Sequence, residues 1–329
     1  MMLRIFFTGD DLSRIRLAAG ADAMWEILLS LHRLRRPEGT AVFAGWKRQV
    51  RPSVPASARL LTDLAPATGY AADFLTPTTG TGALASGIEA LRSTSRSRLR
   101  TDLTELSTRH PGRPVPAWIG RLAAGRLDTL DQLAHAVTSY FDRCMAPYWD
   151  ALQAQIDRDR AQRRKALAEG GWPKVLETLH PSAQWSFPVL HLDYPADHDI
   201  VLDGRGLVLQ PSFFCWGPPV ALLDPSLTPV LAYPIAHLLD WTGLVSSAGR
   251  SRECALTALL GRTRANVLEA VAMGACSTTQ LAARVAIPLQ TASRHTTVLR
   301  DAGLITTQRL GKRVNHAVTP LGLLLLEGN

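Results

Sequence analysis

Two short stretches near the C-terminus carry the side chains best suited to meeting a polyanion. In "LQTASRHTTVLRD", residues 289–301, Gln290, Thr291, Ser293, Arg294, His295 and Thr297 bring together amide, hydroxyl, imidazole and guanidinium groups. In "TTQRLGKRVNH", residues 306–316, Arg309, Lys312 and Arg313 gather around one glycine. Amide and guanidinium groups hydrogen-bond base edges in the major groove of duplex DNA, whereas cations and hydroxyls also hold phosphates without reading sequence. The chemistry implied is recognition of double-stranded DNA, not bond making.

Those groups need elements to position them. "STTQLAARV", residues 277–285, has helical spacing, with Thr278 or Thr279 expected as its cap, and Pro288 then breaks the chain. A second helix is expected over residues 289–302, turning Ala292, Val298 and Leu299 inward and leaving Gln290, Thr291, Ser293, Arg294 and Thr297 elsewhere on its surface. Gly303 should end it in the left-handed conformation. "LITTQRLGKRVNHAVTP" predicts two strands flanking Gly311 and Lys312, with Arg309, Lys312 and Arg313 near the tip of a basic hairpin. A helix-turn-helix followed by such a hairpin is a winged helix. One helix enters the major groove, about 12 Å wide, and the wing lays cations along neighbouring phosphates. Thr279, at the start of the first helix, joins the set expected to contact DNA.

The charge follows the same division. Of the formal net charge of +8, residues 250–329 hold +6, from 10 Lys/Arg against 4 Asp/Glu. A chain of 329 residues exceeds what one core organises, since domains run about 100–200 residues. Two domains are expected: residues 1–245, α+β, and residues 246–329, a mainly α winged helix-turn-helix domain, joined through "GLVSSAGRSRE". With 46% hydrophobic and 19% charged residues, the composition is that of a folded globular protein. No run approaches the roughly 18–20 apolar residues of a membrane span, and "MMLRIFFTGDD" meets acids too early for a signal peptide. Cys144, Cys215, Cys254 and Cys276 are scattered without a CxxC pair, so neither a disulfide framework nor a thiolate zinc site is expected. A reducing, cytoplasmic setting follows as an expectation.

Residues 250–329 contain "LLGRTRANVLEAV", "TTQLAARV", "TASRHTTVLRDAGLI" and "RLGKRVNHAVT" in that order. This combination, spanning about Leu256 to Leu323, resembles the ArsR-type winged-helix regulators. The resemblance assigns Gln290, Thr291, Ser293 and Arg294 to base edges or nearby phosphates, His295 to a phosphate or to helix packing, and Lys312 and Arg313 to the wing. It implies a homodimer on a pseudo-palindromic operator. The cysteine cluster and the His/Asp/Glu cluster of metal-sensing members are missing, with only Cys276 before "TTQLAARV", so a metal effector is not expected. Thr296 and Thr297 stand where Leu and a cation are common. The final helix, in "TPLGLLLLEGN", is short, so Leu256, Leu259, Leu260 and the N-terminal domain are alternative dimer contacts. As a whole the chain looks like the large ArsR-type regulators with an N-terminal domain of unassigned function, on "LRIFFTGDDLSRIRLA", "WEILLSL", "LAEGGWPKVLETLHP" and "GRGLVLQPSFFCW".

Within residues 1–245 the first half reads as mainly helical, from "DDLSRIRLAAGADAMWEILLSLHRLRRP" onward, with loops over residues 51–82. Short strands are expected after Leu179, with a hairpin turn at Gly204–Arg205–Gly206. Trp185, Phe187, Phe213, Phe214, Trp216 and Tyr233 gather in that half, together with Tyr194 and Trp241. As a pocket, the first six would line an apolar site for an organic small molecule; as core, they would simply pack.

Catalysis has little support. "HLDYPADHD" crowds His191, Asp193, Asp197, His198 and Asp199, but a polar turn between strands accounts for it better than a metal site. "GDD" at residues 9–11 reads as a helix start, and no GxSxG, phosphate-binding loop or GxGxxG precedes a helix. The basic runs at residues 92–100 and 158–165 read as solvated helix faces. The expectation is a sequence-specific DNA-binding regulator that responds to an organic molecule, with no cofactor, metal or membrane partner and no enzymatic activity. Two alternatives stand beside it: a ligand-independent DNA-binding or protein-interaction factor, and a metal-dependent enzyme tethered to DNA.

Overall fold

The computed structural model describes residues 1–77, 80–222, 224–238, 241, 259–310 and 313–327. Contacts divide the chain into two compact units, Met1–Thr242 and Gly243–Asn329. No helix among the described residues is long and apolar enough to cross a membrane.

In the first unit β1 (Met2–Phe6) leads to α1 (Gly9–Ser13) and β2 (Arg16–Leu17). The helices α2 (Ala23–Arg35), α3 (Thr40–Val50), α4 (Ala58–Leu64), α5 (Leu84–Arg92), α6 (Arg96–Arg109), α7 (Ala117–Ala123), α8 (Leu127–Tyr140) and α9 (Trp149–Glu177) follow. Strands β3 (Gln184–Ser186), β4 (Val189–Asp193), β5 (His198–Val201), β6 (Val208–Ser212), β7 (Val220–Ala221) and β8 (Val230–Pro234) come last. The unit is α+β, as the succession of helical and strand patterns implied, but its strands are not confined to the second half. In β1, Leu3 and Ile5 are fully buried while Met2 and Arg4 face outward, the alternation of a strand with one covered face.

Two sheets result. One runs β3-β4-β1-β5, with β1 antiparallel to β4 and parallel to β5. The other runs β2-β6-β8-β7, its first three strands parallel. This topology corrects two expectations. Residues 14–17 do not continue a helix: α1 stops at Ser13, and Arg16 and Leu17 pair with Val208 and Leu209. Gly204–Gly206 is not a hairpin turn, because β5 and β6 belong to different sheets. The "DYPADH" segment does connect two strands, β4 and β5, as expected, with β1 lying between them in the sheet. A third correction concerns residues 51–82, which contain α4 with Ala58, Leu61 and Leu64 buried on one face.

Helix α2 is the central element. Asp22 caps it by accepting from the Met24 and Trp25 amides, and every residue from Ala23 to Leu31 is buried, as for a helix packed on all sides. Glu26 is the exception in chemistry, though not in burial. Its carboxylate accepts the Phe213 and Phe214 amides at 2.8 and 3.0 Å, tying α2 to the end of β6. Burial pushes its pKa up to about 7 against the opposing pull of those two donors. Around that junction Phe43, Trp46, Phe213, Phe214 and Trp241 pack ring on ring, with centroids 4.5–6.3 Å apart.

The second unit comprises α10 (Arg262–Ala272), β9 (Cys276–Ser277), α11 (Thr278–Val285), α12 (Leu289–Asp301), β10 (Ile305–Leu310), β11 (Arg313–Val318) and α13 (Pro320–Glu327). Strands β10 and β11 form an antiparallel hairpin, and β9 adds to β11 through Asn315↔Ser277 and His316↔Cys276. Val267, Leu268, Val271, Leu281, Leu299 and Ile305 make a compact core, each side chain contributing about 1.5–3 kcal/mol on burial. The expected linker, residues 243–253, lies outside the described residues.

Candidate nucleic-acid interface

The turn between α11 and α12 is built locally. Ser277, rather than Thr278 or Thr279, caps α11: its hydroxyl accepts the Gln280 amide, while the Gln280 side chain accepts the Ser277 amide at 2.9 Å. Ala286 takes the left-handed conformation at φ 56°, and Pro288 precedes α12. Arg284 donates to the Ala270 carbonyl at 2.8 Å, fastening α11 to α10 instead of facing a ligand.

Helix α12 buries Ala292, Thr296 and Leu299. Gln290, Ser293, Arg294 and Thr297 are exposed, and Thr291 and His295 partly so. The outward face is therefore polar and basic over two turns. Val298, expected inward, is 40% exposed; Thr296 takes the inward position instead and donates its hydroxyl to the Ser293 carbonyl at 3.0 Å. That internal bond satisfies a hydroxyl that would otherwise be stranded in an apolar contact. Thr297 donates to the same carbonyl. Thr279 is exposed in the first turn of α11.

Arg264, on α10, is a functional candidate that sequence reasoning missed. The His295 imidazole is held below its ordinary pKa by burial and then by the charges of Arg264 and Arg294. Arg264 thus adds to the positive field beside α12. Its only sequence signal is a cation in the first turn of α10, where the helix dipole does not favour one.

The wing matches the expected hairpin. Leu310 pairs with Arg313 and Arg309 with Val314, which places both arginines at the end of the ladder remote from β9. Lys312, with Gly311, lies outside the described residues. His316, in β11, is 4% exposed and bridges two hydroxyls, with Nε2 2.9 Å from Thr278 and Nδ1 3.0 Å from Thr307. It positions the wing rather than touching a ligand. Cys276 is buried in the core, which pushes its thiol pKa up. Of the alternative dimer contacts, Leu259 is 68% exposed, Leu260 packs partly against the core and Leu256 lies outside the described residues.

The aromatic residues of the first unit do not gather around one opening. Trp185 packs on Phe7 at 5.1 Å, beside the exposed Phe187. Phe213 and Phe214 are fully packed in the junction above, and Trp216 covers Phe43 at 5.6 Å. Tyr233 is buried elsewhere, donating to Asp159 at 2.8 Å under the Arg163 guanidinium. Two acids of "HLDYPADHD" are used within the sheet: Asp199 pairs with Arg4 at 2.6 Å and Asp197 accepts the Met2 amide. Among the described residues no three His, Cys, Asp or Glu side chains cluster as a metal site requires. "GDD" does start a helix, with Thr8 and Asp11 forming a capping box.

A family model described as a helix-turn-helix domain matches residues 259–308. No curated protein and no solved structure matches the chain. The match spans α10 through most of β10, the segment whose geometry is set out above. The C-terminal unit is a winged-helix DNA-binding domain.

Proposed function

We propose that this chain is an ArsR-type transcription regulator that binds a pseudo-palindromic operator as a homodimer and acts as a repressor in the cytoplasm. The observation that carries the reading is the outward face of α12, where Gln290, Ser293 and Arg294 stand exposed beside a basic hairpin. Arg294 and Gln290 meet base edges; Ser293, Thr291, Thr297, Thr279 and His295 meet edges or phosphates; Arg309, Lys312 and Arg313 follow the backbone. A dimer is required because one module covers too little DNA for specific affinity.

The N-terminal unit is the effector domain in this reading. An organic molecule bound there shifts the dimer between geometries that match or miss successive major grooves. No metal, cofactor or catalytic step is assigned. The test is fluorescence-anisotropy titration of the full chain against its own promoter fragment and scrambled DNA across a salt series. Selective binding that Arg294→Ala abolishes supports a sequence-specific regulator; equal, steeply salt-dependent binding to both DNAs contradicts it.

A further inference from the structure

The last turn of α2, the segment after it and one side of α3 line an open cleft of about 600 Å³. Of the ten described residues lining it, five are cations, Arg35, Arg36, Lys47, Arg48 and Arg51, and none is acidic. The remaining walls are largely apolar, with Leu34 among them. Neither of the basic runs noted in the sequence contributes to it; the cleft exists because the last turn of α2 faces one side of α3.

The charges in the cleft are poorly balanced from within. Arg36 pairs with Glu38 at 2.8 Å. Arg35 is held by two carbonyls, Leu31 at 2.9 Å and Ala65 at 2.6 Å. Lys47 is only 8% exposed and donates to the Arg36 carbonyl at 2.5 Å, a neutral partner. Burial, followed by the charges of Arg33 and Arg51, holds its pKa below the ordinary lysine value. Arg48 and Arg51 are exposed and form no ion pair among the described residues.

Near Lys47, Arg33 is 4% exposed, and its Nε and Nη1 have no hydrogen-bond partner among the described residues, although Arg33 does not itself line the cleft. A buried guanidinium short of partners is unfavourable, and further cations close by make it worse, so an anion in the cleft would offset an excess of positive charge. Arginine pairs in forked geometry with carboxylates and phosphates, and a recessed site strengthens that attraction.

We propose that the cleft between α2 and α3 binds an organic anion, with a carboxylate or phosphate head on Lys47, Arg48 and Arg51 and an apolar body against Leu34. The proposal rests on the reading of the N-terminal unit as an effector domain, and none of the six aromatic residues expected to hold the effector lines the cleft. A duplex backbone fits the site less well. Lys47 lies too deep for a rigid phosphate chain to follow, and the apolar walls offer such a chain nothing.

The test is fluorescence titration of the full chain with 1-naphthyl phosphate and 2-naphthoate, using neutral 1-naphthol as the control. Saturable 1:1 binding of at least one anion is expected, with 1-naphthol at least tenfold weaker. The exposed pair Arg48→Gln/Arg51→Gln should weaken the anion at least tenfold, and Arg59→Gln, on α4 and outside the cleft, should leave it unchanged. Thermal melting of each variant checks that the fold is retained. Absence of saturable binding, equal binding of 1-naphthol, or equal losses in both variants overturns the proposal. So does a double variant that loses affinity for scrambled duplex DNA while no anion binds, since the cleft would then be a backbone contact. Anion binding that leaves operator affinity unchanged upholds the site and overturns only its role as effector.

Discussion

His316 Nε2 lies 2.9 Å from the Thr278 hydroxyl, joining the second wing strand to the first residue of α11. Its other ring nitrogen lies 3.0 Å from Thr307 on the facing strand. One imidazole therefore fixes the wing against both the helix-turn-helix and its own hairpin partner. A neutral ring donates through one nitrogen and accepts through the other, and both threonine hydroxyls serve either role.

This geometry carries a pH dependence. Burial, and after it the charge of Arg300, hold the His316 pKa below its ordinary value of 6.5. As the pH falls, the unfolded chain takes up this proton first. The stability His316 contributes is thus complete above about 6.5 and is lost progressively below it. In urea denaturation of the full chain, the stability difference between wild type and His316→Gln should shrink between pH 7.5 and pH 5. A difference that stays constant across that range would contradict the assignment.

Arg294 is exposed on α12 and free to reach a base edge. Arg294→Ala should cost about 1–3 kcal/mol on the operator and much less on scrambled DNA, because a bidentate base contact discriminates by that amount. Quantitative gel-shift titrations on both DNAs measure the two losses. Equal losses would make Arg294 a phosphate contact instead.

Arg264 lies close enough to depress the His295 pKa but sits on a different helix from the recognition residues. Its replacement by Ala should weaken specific and scrambled DNA alike and lower the slope of log affinity against log salt by about 1. An unchanged slope would remove it from the interface.

Gly206 adopts φ +70°, and its amide donates to the buried Asp11 carboxylate at 2.8 Å. A Cβ there would lie 2.4 Å from the Arg14 carbonyl oxygen, so backbone must move. Gly206→Ala should therefore destabilise the first unit by more than about 2 kcal/mol. Gly112, at φ +80° with open space around it, separates the two causes. Gly112→Ala should cost only the conformational strain of about 1 kcal/mol. Calorimetric unfolding of both variants decides, and equal costs would mean that crowding at Arg14 is relieved.

The sequence by itself determined the winged helix, since the signals there act over a few residues. A cap, a proline, a left-handed glycine and a 3.6-residue period set each element within its own span, and the hairpin followed from alternating strands around one glycine. Its errors were of the same short range. Ser277 displaced Thr278 as cap, and Thr296, in helical register with Ala292 and Leu299, took the inward place expected of Val298, its hydroxyl satisfied within its own helix. The first unit was decided by contacts that no local pattern encodes. Asp11 meets Gly206 across 195 residues, Glu26 meets Phe213 across 187, and β1 pairs with strands almost the whole unit away. Period and propensity state which face of an element is apolar, but not which partner covers it. Only tertiary packing could set the end of α2 against α3 and concentrate cations in a cleft, because that charge density belongs to two helices together and to neither alone.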